Sequence, residues 1–160
     1  MRVSHPFAPV FDCCSRILIL GSFPSVRSRE EGFYYGHPQN RFWRVIAAVY
    51  GEAVPTDGPA KKRLLLDHQL ALWDAAAQCD IEGSRDSSIR AAVPTDLSVI
   101  FSKACIERVL CNGTTSGVLY RRNQQPLTGL PATVLPSTSP LNAAWKLGRL
   151  VETWGKALAG

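Results

Sequence analysis

Arg16-Ile17-Leu18-Ile19-Leu20-Gly21 is an unbroken apolar run closed by a glycine. A strand with one wet face alternates apolar and polar residues, whereas a strand covered on both faces reads as a continuous run. The run therefore predicts a strand buried in a parallel sheet, and Gly21-Ser22-Phe23-Pro24-Ser25 predicts a sharp turn after it. Working outward, three further short stretches read as strands. They are Leu70-Ala71-Leu72-Trp73-Asp74, Ile106 to Cys111 before Asn112-Gly113, and Ala132-Thr133-Val134-Leu135 before Pro136.

Helical spacing fills the intervals. Phe42, Ile46, Val49 and Tyr50 recur on one face behind Pro38, and Gly51 supplies a stop. Short helices are predicted over Lys61 to Asp67, from a Thr95 or Asp96 cap through Phe101 and Lys103, and over Thr114 to Arg122. The strongest periodic signal is C-terminal, where Ala144, Leu147, Val151, Trp154 and Leu158 share a face. Residues 1–15 read as an irregular lead-in interrupted by Pro6 and Pro9, while Pro55 to Pro59 and Gly83 to Ser88 read as loops. Strands alternating with helices predict an α/β fold with a parallel sheet covered on both faces. In such sheets ligands bind beyond the carboxyl ends of the strands. The polar groups at Gly21–Ser25, Asp74, Asn112 and Ser137–Leu141 all fall there.

One further stretch is dense in chemistry: Gly32-Phe33-Tyr34-Tyr35-Gly36-His37-Pro38-Gln39-Asn40-Arg41-Phe42-Trp43. It sets Asn40 at the start of a helix, just after an aromatic loop. Two readings of Asn40 stand at this point, a helix cap and a site residue.

At 160 residues, the chain is read as one domain spanning 1–160, long enough for a substantial core. Lys and Arg outnumber Asp and Glu, 18 to 13, with a sequence pI near 9.1, which permits a polyanionic partner without requiring one. The five cysteines are Cys13, Cys14, Cys79, Cys105 and Cys111. Their number is odd and no Cys-x-x-Cys or His/Cys zinc spacing occurs, so reduced thiols are expected and neither a metal nor an iron–sulfur cluster. No long apolar segment follows the N-terminal charge and no window reaches membrane-spanning length. The expectation is a soluble protein of the cytoplasm, nucleoid-associated in a prokaryote.

Taken together, Gly-Ser-Phe-Pro-Ser after the first buried strand, His-Pro-Gln-Asn-Arg-Phe-Trp, the strand-terminal Asn-Gly and Ser-Thr-Ser-Pro-Leu-Asn-Ala resemble the uracil-DNA glycosylase superfamily. Within it, the chain is most similar to the hypoxanthine-DNA (deoxyinosine) glycosylase branch. The resemblance runs in order from about Arg16 to the C-terminal helix. It implies a three-layer α/β/α sandwich around a four-stranded parallel sheet, with DNA as partner, a monomeric state and no cofactor. It also implies base-excision chemistry, in which a deaminated base is flipped and its glycosidic bond hydrolysed.

By that resemblance Asn40 is the catalytic amide, its carbonyl holding a water below the sugar carbon. Tyr35 stacks on the flipped base, Phe23 forms pocket wall, and Asn112 reads the base edge. Ser137, Thr138 and Ser139 meet phosphates, and Leu141 is the wedge that fills the gap left by the base. Arg27, Arg41 and Arg44 are further phosphate candidates, and the roles of His37 and Asp74 are left open. Two departures matter. Phe23 stands where several relatives carry a water-activating Asp or Asn, and Ser137 where many carry His or Asn, which argues against strong uracil cleavage. The alternatives are a uracil or mismatch-specific enzyme of the same superfamily, and a nucleic-acid binder that keeps the fold without catalysis. Asn112 also retains a plain reading as an Asn-Gly turn, and Leu141 as a core residue behind a cap.

Overall fold

Along the first apolar run, odd and even positions feed two different cores. The computed structural model describes residues 2–80 and 90–159, with the side chains of Val26, Arg27, Glu31, Asp80, Arg90 and Ala91 outside that description. The run forms β2 (Ile17–Gly21), buried at every position. Ile17 and Ile19 enter a core with Leu70, Leu72, Leu110, Phe42, Ile46, Leu65 and Trp154. Leu18 and Leu20 enter a second core with Ala71, Val109, Cys111, Ile100 and Tyr120. Period-two alternation thus divides one strand between two apolar layers.

The four-stranded sheet runs in the order β3 (Leu70–Asp74), β2, β6 (Arg108–Asn112), β7 (Ala132–Leu135), and every neighbouring pair is parallel. On the first face lie α2 (Phe42–Tyr50), α3 (Gly58–Asp67) and α7 (Leu147–Ala159). On the other lie α4 (Ser98–Phe101) and α5 (Thr114–Asn123). This is the three-layer sandwich the resemblance implies. Short α1 (Val26–Glu31) and α6 (Gln125–Thr128) complete the helices among the described residues.

Two indoles donate their N–H groups to backbone carbonyls, Trp43 to Tyr34 at 3.0 Å and Trp154 to Pro136 at 3.0 Å. Each therefore ties a helix to a loop beside the strand ends, besides the apolar area it buries. The second of these fixes the loop after β7 to α7.

Four expectations need correction. The lead-in is not irregular throughout: β1 (Arg2–Ser4) pairs antiparallel with β4 (Ala76–Asp80), which pairs antiparallel with β5 (Arg90–Pro94). Val10 also forms an antiparallel bridge to Leu72, so the lead-in covers the outer edge of β3. These strands are short and rich in alanine or polar residues, so only the pairing partner, not local propensity, makes them strands. Secondly, the helix expected from Lys61 begins at Gly58, because Asp57 accepts the Ala60 N–H and Pro59 fits the first turn. Thirdly, the inward row of α7 is Leu150, Trp154 and Leu158, with Leu147 39% exposed and Ala144 before the helix. An i, i+4 row against α2 prevails over the stripe of alternating i+3 and i+4 steps expected from sequence. Lastly, the short helix after β5 has no Thr95 cap: Thr95 is buried and its hydroxyl donates to the Asp74 carbonyl at 2.7 Å, while Asp96 accepts from Ser98 N–H at 3.0 Å. The loop expected over Gly83 to Ser88 lies outside the described residues.

Burial raises the pKa of the Cys111 thiol from 9.0 to about 11, against a smaller opposing hydrogen bond from Ser116. Burial also raises the Tyr34 phenol. The folded chain holds these protons more tightly than the unfolded chain. Stability should thus be intact below about pH 9 and fall as pH rises through about 11. Urea midpoints measured across that range should decline, and Cys111→Ala should flatten the decline; an unchanged slope would deny Cys111 any part in it.

Candidate functional site

Register sets out the site before any side chain is considered. Gly21 is level with Asp74, Leu20 with Cys111, and Asn112 with Leu135. Asp74 and Asn112 therefore end the two strands that flank Gly21, about 10 Å apart at two strand spacings. A cleft of about 530 Å³ opens at these ends, and Phe23, Tyr35, Asn40, Ser137, Ser139 and Leu141 line it with them.

Gly21 is required by close approach. A Cβ there would lie 2.4 Å from Asp74 Oδ1 and 2.7 Å from the Tyr35 hydroxyl. Both polar atoms thus lean over the middle strand, into space that any other residue would fill.

Thr138 is the hinge of the polar floor. It is fully buried, and its hydroxyl donates to Asn40 Oδ1 at 2.9 Å while accepting from Asn112 Nδ2 at 3.0 Å. Its backbone N–H donates to Asn112 Oδ1 at 3.1 Å. Asn40 Oδ1 also accepts from the backbone N–H of Phe42 at 2.9 Å. A backbone N–H can only donate, so each one fixes which end of its amide is oxygen. The direction of the chain Asn112 to Thr138 to Asn40 follows from those two anchors. Asn112 Nδ2 also donates to the Tyr35 hydroxyl at 3.2 Å.

This arrangement revises two sequence expectations. Thr138, expected at a phosphate, has its hydroxyl buried and engaged by both amides. Asn40 accepts the N–H of Phe42, the first residue of α2, from one position before the N-cap, and it lines the cleft. Both acceptor positions of its carbonyl are occupied, so a water can reach that oxygen only when the Thr138 hydroxyl turns away.

Arg41 differs from expectation too. Its guanidinium donates to the carbonyls of Thr138 at 3.4 Å, Ser139 at 2.8 Å, Asn142 at 3.2 Å and Trp145. Its backbone N–H donates to Thr138 as well. The side chain is spent on pinning the loop after β7 to the start of α2, which removes it from the phosphate candidates. Arg44 is exposed, and the Arg27 side chain lies outside the described residues.

Tyr35 adopts the left-handed conformation, with φ 54, and stacks on Phe42 at 4.2 Å and 21°. Left-handed backbone is costly for a bulky residue, and here it turns the ring into the cleft with one face against α2. Phe23 is buried against Ala76 and Cys79, as pocket wall. Leu141 is 75% exposed at the rim, so the core reading does not hold. Ser137 and Ser139 accept backbone N–H groups two residues on, from Ser139 at 3.1 Å and Leu141 at 3.2 Å, and shape the loop that presents it. His37 likewise accepts the Gln39 N–H through Nδ1 at 3.1 Å.

Sequence reasoning missed His5. Its Nε2 lies 2.8 Å from Asp74 Oδ2, both side chains about 95% buried. No local signal marks it, because residue 5 reaches residue 74 through the pairing of β1 with β4.

The family model of the uracil DNA glycosylase superfamily matches residues 8–158. A hypoxanthine DNA glycosylase of Methanosarcina acetivorans is 34% identical over 155 residues, 94% of this chain and 95% of that one. Another from Methanosarcina barkeri is 34% identical over 113 residues, 69% of this chain and 72% of that one. The solution NMR structure of a candidate uracil DNA glycosylase from Methanosarcina acetivorans superposes with a TM-score of 0.83 at 31% identity, covering 99% of this chain and 97% of that one.

If Thr138 orients both amides, Thr138→Val leaves an amide hydrogen of Asn112 and a lone pair of Asn40 without partners. That change should cost about 1–3 kcal/mol in urea denaturation, while Thr138→Ser stays near wild type. Equal losses for the two variants would mean that only the volume of Thr138 matters.

Proposed function

The chain belongs to the uracil DNA glycosylase superfamily, and on that premise we propose that it hydrolyses the N-glycosidic bond of a flipped, deaminated base in DNA, foremost hypoxanthine, leaving an abasic site. The observation that carries this reading is the pair of amides, Asn40 and Asn112, held in fixed orientation across one cleft at the strand ends.

A base must leave the duplex stack before its glycosidic bond is accessible. Leu141, exposed at the rim on a loop pinned by Arg41, fills the gap. The base enters against Tyr35, and stacking of this kind contributes about 1–3 kcal/mol. Asn112 gives up its contact to the Tyr35 hydroxyl and donates from Nδ2 to the base carbonyl. Its orientation is already set by the Thr138 N–H, so no reorganisation of the amide is needed. At the sugar, the Thr138 hydroxyl turns and Asn40 Oδ1 accepts a hydrogen bond from the attacking water. The water oxygen bonds the sugar carbon as the bond to the base breaks, and its proton passes through solvent to the released base. A neutral amide is a weak base, so bond breaking runs ahead of water attack and positioning supplies most of the acceleration. Release is therefore modest in rate. The chemistry draws on no metal or cofactor, and the protein acts as a single-domain monomer.

Among the described residues no helix is long and apolar enough to cross a membrane. The surplus of basic residues supports attraction to the phosphate backbone in the compartment that holds the DNA.

Duplexes containing deoxyinosine, uracil or xanthine, treated with alkali after incubation, test the activity by strand cleavage at abasic sites. Asn40→Ala should lower single-turnover release at least about a hundredfold while DNA affinity stays near wild type. It should also lose about 1 kcal/mol of stability, because the bond to the Phe42 N–H goes with it. Wild-type release by that variant would remove Asn40 from the chemistry. Leu141→Ala should slow release from a paired lesion more than from a single strand, since only the duplex requires extrusion. Equal slowing on the two substrates would deny the wedge.

A further inference from the structure

Asp74 lines the floor of the cleft with His5 bonded behind it, and the mechanism above makes no use of either. Asp74 ends β3 with 3% of its surface exposed. Its backbone carbonyl accepts the Thr95 hydroxyl at 2.7 Å and its Oδ2 lies 2.8 Å from His5 Nε2. An ionised carboxylate only accepts, so His5 Nε2 carries the proton of that bond. On its other side, His5 Nδ1 is 2.9 Å from the Phe7 carbonyl and 3.1 Å from the Phe7 N–H. The rings of Phe7 and Phe23 meet the imidazole edge-on at 5.7 Å, and Tyr34 is at 5.8 Å. His5 is thus locked, and it locks one oxygen of Asp74. The other oxygen, Oδ1, leans over Gly21 beside the Tyr35 hydroxyl, toward the side where Asn112 stands.

A buried pair of polar side chains is weak as a stabilising device, because desolvation offsets most of the attraction. An apolar pair would hold β1 to β3 as well. What an apolar pair does not offer is an acceptor of fixed direction in the cleft, opposite a donor of fixed direction on Asn112.

We propose that Asp74 is a specificity-determining residue, accepting through Oδ1 the ring N–H that adjoins the carbonyl of a lactam base, the N1–H of hypoxanthine. The proposal rests on the glycosylase reading of the cleft. His5 is the positioning residue that keeps Oδ1 turned to the base. Donor and acceptor on the base are then met by acceptor and donor on the two strands that flank Gly21. Adenine and cytosine present a ring lone pair at that place, which faces the carboxylate lone pairs and is rejected. Guanine and thymine carry the lactam pair, and are excluded by their extra groups and by the work of unpairing a normal base. Negative charge beside a departing base slows the chemical step, so the residue trades rate for selectivity.

Single-turnover release from duplexes carrying deoxyinosine or deoxynebularine tests this. Nebularine keeps the purine skeleton but has a lone pair at N1 and no 6-carbonyl. Wild type should release hypoxanthine much faster than purine. In Asp74→Asn, His5 Nε2–H takes the amide oxygen and the NH2 faces the base, a donor against the N1–H of hypoxanthine and a match for the N1 of nebularine. The inosine-to-nebularine ratio should fall at least about tenfold, with melting near wild type. Equal slowing on both substrates overturns the proposal and leaves Asp74 structural. Should Asp74→Asn fail to fold, His5→Ala, which keeps the carboxylate but frees it to turn, has to lower the same ratio; an unchanged ratio overturns the proposal. Absence of release by wild type from any of the deaminated substrates would instead overturn the glycosylase reading, and this inference with it.

Discussion

Gly21 sits in the middle of a row of three parallel strand ends, and the site depends on the space its missing side chain leaves. The Asp74 carboxylate and the Tyr35 hydroxyl both occupy that space, at distances that a Cβ would not tolerate. Without it Asp74 would have to turn outward and Tyr35 would lose its place beside Asn112. The glycine is a packing requirement rather than a turn requirement, since the strand continues regularly to that point. One absent methyl group thereby connects the aromatic loop, the edge of the sheet and the strand-terminal amide.

The second ordering principle is direction. A network of amides and hydroxyls is ambiguous in principle, because every member can both donate and accept. Here two backbone N–H groups, of Phe42 and Thr138, remove the ambiguity at either end. Arg41 adds a mechanical constraint by collecting carbonyls of the loop that carries Thr138. Such a floor is preorganised: it presents dipoles already aimed, which is where catalysis by neutral groups finds most of its advantage.

Electrostatics is divided between inside and outside. The net positive charge acts at long range on a polyanion and is screened by salt. Inside, the half-buried Arg41 is committed to loop carbonyls and the buried Asp74 to His5, each with partners of fixed geometry. Arg44 is exposed, whereas the arginine within the motif is held by loop carbonyls.

Much of this was determined by the sequence itself. Continuous apolar runs specify strands buried on both faces, their glycine and asparagine ends specify where polar groups emerge, and the order of motifs specifies the family. Asn112 and Phe23 could be placed at the strand ends because each follows a buried strand, while Asn40 and Tyr35 were assigned to the cleft by the likeness of their motif to the family. What only the tertiary structure decided are relations between residues far apart in the chain. Thr138 reaches Asn40 and Asn112 across 98 and 26 residues, Arg41 reaches the loop after β7, and His5 reaches Asp74 across 69. Those pairings follow from strand register and from which loop packs on which, and a serine-rich loop or a histidine in a proline-broken lead-in carries no periodic signal of either. Local patterns encode burial; the direction of a hydrogen bond between distant segments is fixed only when packing brings a backbone N–H or a carboxylate to within about 3 Å.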